Sequence, residues 1–517
     1  MERGCQGIQH DETPCTRDVI DESDWCIFHH PKKKLEYRQI FKEKFEEERL
    51  RQNREHQSYW DFSGFVFPIV MEFGNMIFPK VYFGKAEFIK EVQFTQDRFK
   101  FAGQGGTQKG CEFRDSVDFS EAKFMDVVDF FNAEFWGTCN FYKAEFVNDA
   151  HFTGVVFTGN LNFSRVKTNY VTFGNAYFTD ESNFHDTEFR GETSFNGAVF
   201  SSRANFRNVE FWDDSYFNNI TFESEVNFEA CTFITCGFAY TLFKGLTFLT
   251  NIIVNGNIFL HNNEIHSRFY LNVKEWKKLH FPPSRDDFKY TGMVQVRDPI
   301  FLNKGKMIIS GSLGEITEHK IVGLSLQYCD LDNISLIDVN WPKISKRGRK
   351  ASIDELILEL GQDRFGPDLT IGTSDSVSQL YRSLREKYER EKRYHDAGDF
   401  FRGEMDIRRK YSESRTDKIL LTFYNWLSRY GESIGLPFLW SFLFIILSSV
   451  TLSIVQFKSH TLTDLFIDSI CLTLPTVLMA FFPLSTVNEF YLFLIKLVGT
   501  LLIGTIFIAV KRKMERK

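Results

Sequence analysis

Phenylalanine recurs along the middle of the chain, from Phe73 to Phe248, in steps of five and six residues. Two positions before most of these rings stands a small or modest side chain, such as Ala122, Val128 or Cys139. Residues two apart lie on the same side of an extended strand, so each short unit sends one small and one large side chain inward. An amphipathic helix needs spacings of three and four. The pattern therefore predicts an 11-residue repeat wound around a near-square column of β structure.

The spacing of five and six residues is lost between residues 256 and 320. It returns near 322–341, where Leu326, Leu331 and Leu336 are five residues apart. We expect an irregular, β-rich insert between the two regular stretches. Four units make a coil of about 22 residues that climbs about 4.8 Å, one strand spacing. Residues 117–254 then form about six coils.

The units FSEAKF, FYKAEF, NFEACTF and CDLDNISL resemble those of pentapeptide-repeat proteins. The resemblance covers roughly residues 61–255 and 322–341. It implies a right-handed quadrilateral β-helix in which the central Phe or Leu and the small residue two before it stack inside. Some members of that family present such a rod to topoisomerases as a mimic of duplex DNA.

Charge and composition restrict the partners. The chain of 517 residues has 58 Phe and a net charge of -6. Residues 61–254 contain 25 acidic and 15 basic side chains, which gives -10. This balance excludes a basic nucleic-acid-binding protein, and we expect no nucleic-acid partner. Negative charge on a rod is in most cases a matter of solubility, so DNA mimicry ranks below partner binding.

Three thiols and an imidazole lie close together near the N-terminus, at Cys5, Cys15, Cys26 and His29. They form the ligand set of a tetrahedral structural zinc site. His30 or His10 is an alternative to His29, and cysteines without a metal are the competing interpretation. The ending Cys-Ile-Phe-His resembles that of small Cys-Cys-Cys-His modules. We predict structural zinc as the cofactor.

Two segments mix charges with good helix formers. Residues 32–58 are expected to form a charged connector helix, for which an RNA- or partner-binding arm is the alternative. Residues 346–432 are expected to form a helical hairpin connector, in which Glu404 is spaced to pair with Arg408 or Arg409. The second segment resembles the helical part that follows the repeats in membrane-linked pentapeptide-repeat proteins. It is either a solvated hairpin or a collar for gating or oligomerisation.

The C-terminal residues 433–517 are predicted to form a transmembrane module. The spans are placed at about 434–457 and 490–510, with a re-entrant segment at about 469–487. Basic residues before the first span and after the last predict that both termini face the cytoplasm of a cell (inner or plasma) membrane. The arrangement resembles the pore unit of tetrameric two-helix cation channels. The pore-like region comprises Thr473, Pro475, Thr476, Met479, Ala480 and Phe481, and the lack of Gly from 436 to 498 argues against potassium selectivity.

The predicted organisation is a zinc-like module (1–31), connector helix (32–58), β-helix (59–255), insert with second repeat patch (256–345), helical connector (346–432) and membrane module (433–517). The fold class is a mainly β solenoid with helical flanks. We expect a homo-oligomeric, membrane-anchored protein with a channel-like pore, whose rod senses or binds an unidentified protein partner. The alternative is a non-conducting, membrane-tethered interaction scaffold. No phosphate-binding loop, nucleophile elbow or acid-base pair is present, so no catalytic residue is predicted and we expect no enzyme.

Overall fold

A computed structural model describes most of the chain. It covers residues 5–20, 24–30, 35–55, 58–74, 76–95, 110–276, 290–302, 305–316, 320–326, 328–343, 348–360, 373–456 and 489–515. The chain forms two compact units, the first ending at Pro342 and the second beginning at Lys343.

The first unit is a parallel β solenoid with four faces, numbered 1 to 4 in the order in which the chain visits them. Face 1 consists of Tyr59–Asp61, Lys80–Tyr82, Val117–Asp118, Cys139–Asn140, Leu161–Asn162, Ser182–Asn183, Ala204–Asn205 and Val226–Asn227. Face 2 consists of Val66–Phe67, Glu87–Phe88, Lys123–Phe124, Glu145–Phe146, Lys167–Thr168, Glu188–Phe189, Glu210–Phe211 and Thr232–Phe233. These two faces are joined by Thr247–Val254, and the ladder continues through Arg268–Trp276, Lys306–Ser312 and Ile334–Asn340.

Face 3 consists of Met71–Glu72, Val92–Gln93, Val128–Asp129, Ala150–His151, Val171–Thr172, Thr193–Ser194, Ser215–Tyr216, Cys236–Ala239, Asn257–His261, Tyr290–Arg297, Lys320–Ser325 and the antiparallel Gly314–Ile316. Face 4 consists of Ile77–Phe78, Glu112–Phe113, Glu134–Phe135, Val156–Phe157, Tyr177–Phe178, Val199–Phe200, Thr221–Phe222, Leu242–Phe243, Glu264–Ile265 and Ile300–Phe301. A 3₁₀ turn, Leu331–Asn333, follows the last strand of face 3.

The strand register confirms the predicted solenoid. Lys123 pairs with Glu145, 22 residues later, and Leu161 pairs with Ser182, 21 residues later. The inward Phe rings of successive coils stack almost parallel, as Phe184 does on Phe206, with 4.7 Å between centroids and 2° between ring planes. Such offset contacts add to the area that each ring buries, so the Phe columns are the core of the rod.

The alternation of five and six residues has a backbone origin. The five-residue steps between faces 1 and 2 and between faces 3 and 4 contain a residue with positive φ, such as Glu121 (56°) or Asn132 (54°). A residue in the left-handed conformation allows the chain to turn the corner between two faces with fewer residues. The six-residue steps in the regular part turn with ordinary φ values and need one residue more.

The solenoid continues beyond residue 255, into the segment for which the sequence suggests an irregular insert. Asn257–His261 pairs in parallel with Cys236–Ala239 on one side and with Tyr290–Arg297 on the other. The inward positions remain apolar but mostly carry Ile, Leu and Val, as at Ile258 and Leu271, with a buried Phe at Phe269. The regular spacing of Phe therefore ends before the β solenoid does.

The N-terminal end of the rod is covered by a cap, which consists of residues 5–20 and 24–30 and of helix α1 (Leu35–Glu55). Phe28 stacks on Phe65, with 4.6 Å between ring centroids, and the Val66 N–H donates to the Phe28 carbonyl. From α1, Phe41 and Phe45 are buried against rings of the first coil. A solenoid needs such a cover because its terminal coil would otherwise expose apolar core side chains and unpaired backbone N–H and C=O groups.

The second unit is helical. Its helices are α2 (Ile353–Leu360), α3 (Ser374–Arg390), α4 (Tyr394–Tyr411), α5 (Arg415–Ser428), α6 (Gly435–Gln456) and α7 (Glu489–Glu515). In the part of the chain that the structure describes, no helix combines the length and the apolar character that crossing a membrane requires. The predicted two-span, channel-like module therefore has no support in the structure. The predicted re-entrant segment and the pore-like residues Thr473, Pro475, Thr476, Met479, Ala480 and Phe481 lie outside the described residues.

Candidate metal centre and interaction face

Four metal-ligating side chains of the cap converge on one point. Cys5, Cys15, Cys26 and His29 are all buried, and one donor atom from each lies within 4.8 Å of all the others. The Nδ1 atom of His29 is 3.2 Å from Cys26 Sγ and 3.6 Å from Cys5 Sγ. Cys15 Sγ is 4.0 Å from Cys26 Sγ. The residues that the sequence proposed as ligands are therefore brought together.

These separations fit a tetrahedral zinc ion. Zinc-sulfur bonds of about 2.3 Å and zinc-nitrogen bonds of about 2.0 Å place neighbouring ligand atoms about 3.5–3.8 Å apart. Three thiolates and one imidazole are also a ligand set typical of structural zinc. With four protein donors, the centre leaves no position for a reactive water.

The thiols receive hydrogen bonds that suit thiolate sulfur. The N–H groups of Gly7 and Cys26 donate to Cys5 Sγ, at 3.3 and 3.2 Å. The backbone N–H and the guanidinium of Arg17 donate to Cys15 Sγ, at 3.5 and 3.4 Å. The hydrogen bond with Cys26 and those from Arg17 lower the pKa of Cys15, whereas the bond to Cys15 and burial raise the pKa of Cys26. These hydrogen bonds favour the thiolate form at Cys15, which is the form that binds a metal.

The imidazole of His29 is fixed on its far side. Its Nε2 lies 3.0 Å from the Ser63 carbonyl oxygen, which accepts a hydrogen bond from the Nε2–H and leaves Nδ1 free to bind a metal. Gly7 is required next to the ring, since a Cβ added there would lie 2.6 Å from Cδ2 of His29. The alternative ligand His10 is occupied elsewhere, because its Nδ1 is 3.0 Å from the Asp61 carboxylate.

Arg17 connects the cluster to helix α1. Its guanidinium donates to Glu48 at 2.7 and 3.1 Å and lies 4.9 Å from the centroid of the Phe65 ring. Burial opposes the charge of Glu48, but hydrogen bonds from Arg51 and Arg17 lower its pKa to about 2. Arg17 thereby links the candidate metal cluster and helix α1, which form the cap, to the first coil of the rod.

The four outer faces of the rod differ in chemistry. Face 1 presents an amide ladder, in which Asn162 Nδ2 donates to Asn140 Oδ1 at 3.0 Å. Face 2 presents charged pairs between coils, such as Lys167 and Glu188 at 3.7 Å. Outward positions on face 3 are polar, as at Thr172. These three faces suit contact with water.

Face 4 carries an apolar strip, defined by the outward residues Val156, Tyr177, Val199, Thr221 and Leu242 of five successive coils. Tyr177 is 52% exposed. The strip is bordered by acids in the same column, at Glu112 and Glu134 on one end and at Glu264 on the other.

A groove of about 530 Å³ lies at the end of the strip near Glu264, lined by Tyr240, Leu242 and Ile300 among others. Tyr240 is 64% exposed and holds a left-handed φ of 55°, at a corner position that Asn or Gly occupies in neighbouring coils. The spacing of the Phe residues alone does not reveal this surface. The signal for it lies in the residue before each Phe, compared at intervals of one coil.

Comparisons with known proteins agree with this geometry. A family model described as pentapeptide repeats, in nine copies, matches residues 109–152 and 173–212. The coils in these two stretches are therefore similar to pentapeptide repeats. An uncharacterized protein of Methanocaldococcus jannaschii is 30% identical over 147 residues, which are 28% of this chain and 32% of that protein. The chain thus spans about a third of the relative it matches, and no solved structure matches it.

The helical unit contains one ion pair that the sequence predicts. Glu404 is buried and accepts from Arg408 at 3.1 Å, as its spacing predicts. Two arginines of α3, Arg382 and Arg385, contact the same carboxylate. Arg409 contacts Asp406 instead, because an i, i+5 spacing places it on another side of the helix.

Proposed function

We propose that the pentapeptide-repeat rod is a scaffold that binds a protein partner through face 4. The apolar strip carries the proposal, because its outward side chains are mostly apolar in five successive coils, whereas face 1 presents an amide ladder, face 2 charged pairs and face 3 polar side chains. Contiguous apolar surface on a soluble rod is typical of a binding site. The acids at its two ends favour a partner whose apolar docking surface is flanked by Lys or Arg.

A second copy of the chain is disfavoured as the occupant of face 4. Residues 61–254 carry a net charge of -10, and two rods aligned side by side would bring like charges together. We therefore commit to a different protein with a basic rim.

Site-specific photo-crosslinking in cells tests this proposal. A photoreactive residue in place of Val199 is expected to capture a specific protein, and one in place of Asn183, on face 1, is expected not to capture it. The purified partner should then bind the full chain, with an affinity that falls as salt is raised and falls at least tenfold in Val199→Glu. Crosslinks to a second copy alone, or equal capture from both faces, would refute the proposal.

We further propose that Cys5, Cys15, Cys26 and His29 hold a structural zinc ion that fastens the cap to the rod. The supporting observation is the buried donor set with its outer hydrogen bonds. The full chain is expected to contain one zinc per molecule, and Cys26→Ser is expected to lose it and to expose residues 35–55 to hydrogen exchange. Cys231→Ser, in the rod core, is the matched control that keeps the metal. Metal-free wild-type protein with an equally protected cap would contradict this role.

Membrane attachment is a second candidate role, and one observation favours it. Helix α6 has no charged residue, and Phe438, Leu439 and Phe442 are each at least half exposed along it. We propose that this face contacts a lipid surface. The full chain should float with phosphatidylcholine vesicles, whereas Phe442→Glu should not and Trp212→Glu, on the rod, should. Equal flotation of both variants, or none of the wild type, would count against it.

A further inference from the structure

A basic pocket of about 500 Å³ lies in the helical unit. Its walls come from the segment before α2, from α2, from the C-terminal half of α4 and from the end of α5. Five lining residues are basic and three are acidic, which leaves a surplus of two positive charges. The basic residues are Arg349, Arg402, Arg409, Lys410 and Arg429.

The three acids of the pocket are already satisfied by protein groups. Glu355 receives two hydrogen bonds from Arg349, at 2.5 and 2.9 Å, and Glu359 receives one from Lys410 at 2.7 Å. Asp406 accepts from Arg349 at 3.3 Å and from the Tyr430 hydroxyl at 3.0 Å. Burial and the nearby Asp406 raise the pKa of Tyr430, so this hydroxyl stays a donor. The acids therefore fix the frame of the pocket through Arg349, Arg409 and Lys410, and none of them pairs with Arg429.

Two arginines of the pocket have N–H groups that donate no hydrogen bond to any described residue. Arg402 pairs with Asp399 through one Nη atom, but its Nε is buried and has no hydrogen-bond partner. Leaving a buried N–H of a charged group unpaired is costly, so a ligand that accepts from it gains affinity. Among the described residues, the exposed side chain of Arg429 has neither a hydrogen bond nor an ion pair.

The backbone beneath Arg429 is strained. Arg429, Tyr430 and Gly431 are three consecutive residues with positive φ, at 49°, 58° and 81°. Non-glycine residues rarely adopt this conformation, and it is retained where surrounding contacts enforce it. The Ser428 hydroxyl accepts from the Gly431 N–H at 2.9 Å, and the Tyr430 hydroxyl bonds Asp406. The turn places Arg429 and Tyr430 on the wall of the pocket.

We propose that this pocket binds the phosphate group of a phosphorylated compound. A phosphate ester carries a charge of about -1.5 to -2 at neutral pH. It would therefore complement the guanidinium of Arg429, which has no ion pair within the described residues, alongside the other basic residues of the wall. Guanidinium groups bind phosphate oxygens through paired N–H donors, and the exposed guanidinium of Arg429 has such donors unused. A volume of about 500 Å³ lies in the range of small-molecule sites and leaves room for an organic moiety.

The phosphate has two conceivable sources with the same chemistry, a free phosphorylated metabolite and a phospholipid headgroup. The uncharged helix α6 begins six residues after Arg429. The segment proposed to contact lipid is therefore close in sequence to the pocket, which favours a headgroup source. The experiment separates the two sources.

The full chain is titrated with inorganic phosphate at constant ionic strength, held by sodium chloride, and binding is measured by calorimetry. Vesicles of phosphatidylcholine with and without phosphatidic acid provide the second arm. We expect saturable binding in at least one arm, weakened at least tenfold by Arg429→Gln and weakened less by Arg429→Lys, which keeps the charge but not the paired donors. Arg415→Gln removes an exposed arginine at the start of α5, outside the pocket, and is expected to bind as the wild type does.

Binding of phosphate without vesicle binding identifies a free compound, and the reverse identifies a headgroup; both support the proposal. It is overturned if neither probe binds saturably, or if Arg429→Gln and Arg415→Gln weaken binding equally. Arg402→Gln is a second pocket variant, and circular dichroism checks that each variant is folded. Neither result bears on face 4, which belongs to the other unit.

Discussion

Two buried threonines of the rod provide a sharp test of how its core is stabilised. Thr168 occupies a core position where neighbouring coils have Phe, and its hydroxyl is buried without a hydrogen-bond partner. Thr187 is equally buried, but its hydroxyl donates to the Phe163 carbonyl at 2.6 Å. Replacement by Val keeps the shape of either side chain and removes only the hydroxyl.

The two substitutions should change the free energy of unfolding in opposite directions. Thr168→Val removes an unpaired polar group and should stabilise the rod by about 1 kcal/mol. Thr187→Val deprives a buried carbonyl of its donor and should destabilise it by about 1–3 kcal/mol. With an m-value of about 3 kcal/mol/M, the two urea midpoints should differ by about 1 M.

The assay is urea denaturation of the full chain, followed by far-ultraviolet circular dichroism of the β signal. A shift of both midpoints in the same direction would refute the reasoning that hydrogen bonding of the hydroxyl decides the sign. Unchanged m-values confirm that the variants unfold to the same extent as the wild type.

Three further outcomes are expected. Gly7→Ala should weaken zinc binding about 10–100-fold, measured by chelator competition, because its Cβ overlaps the His29 ring; unchanged affinity would mean that the ring is not held there. Glu48 has a pKa lowered from 4.5 to about 2 and should contribute about 2–3 kcal/mol of cap stability above pH 4.5 that is lost as the pH falls toward 2. Hydrogen exchange of α1 between pH 6 and pH 3 measures this, and Glu48→Gln should remove the dependence. Phe184→Ala should cost about 3–5 kcal/mol in urea unfolding, whereas Trp212→Ala, an exposed aromatic of the same rod, should cost about 0.5 kcal/mol or less.

Sequence reasoning succeeds where one physical requirement repeats. Each coil must bury a large ring, so Phe184 and its equivalents reveal both the strand positions and the number of residues in a coil. It fails where the requirement stays but the residue changes, as at Ile258, which is buried like a ladder Phe but breaks the Phe spacing. The limits of the rod depend on burial, which residue identity alone does not express.

The candidate sites differ in the same way. Cys26 and His29 are three residues apart, and thiols are rare enough for the cluster to be visible before folding. Arg429 gives no such signal, since its role depends on a turn of three left-handed residues and on Arg402, which is 27 positions earlier. The apolar strip is intermediate, because its members are regularly spaced but belong to five different coils.

The constant register of the coils has a consequence for how such a rod can vary. Because each coil hydrogen-bonds only to the one before and the one after, removing the 22 residues 183–204 would join Asn205 to the site that Asn183 occupies. The Phe columns, the corners and the cap would all be kept. The strip on face 4 would lose Val199 alone, and Leu242 would move about 4.8 Å closer to Tyr177. The distance between contact points on this protein is therefore adjustable in steps of one coil, so a partner can be matched in length by duplication or loss of coils without redesign of the core.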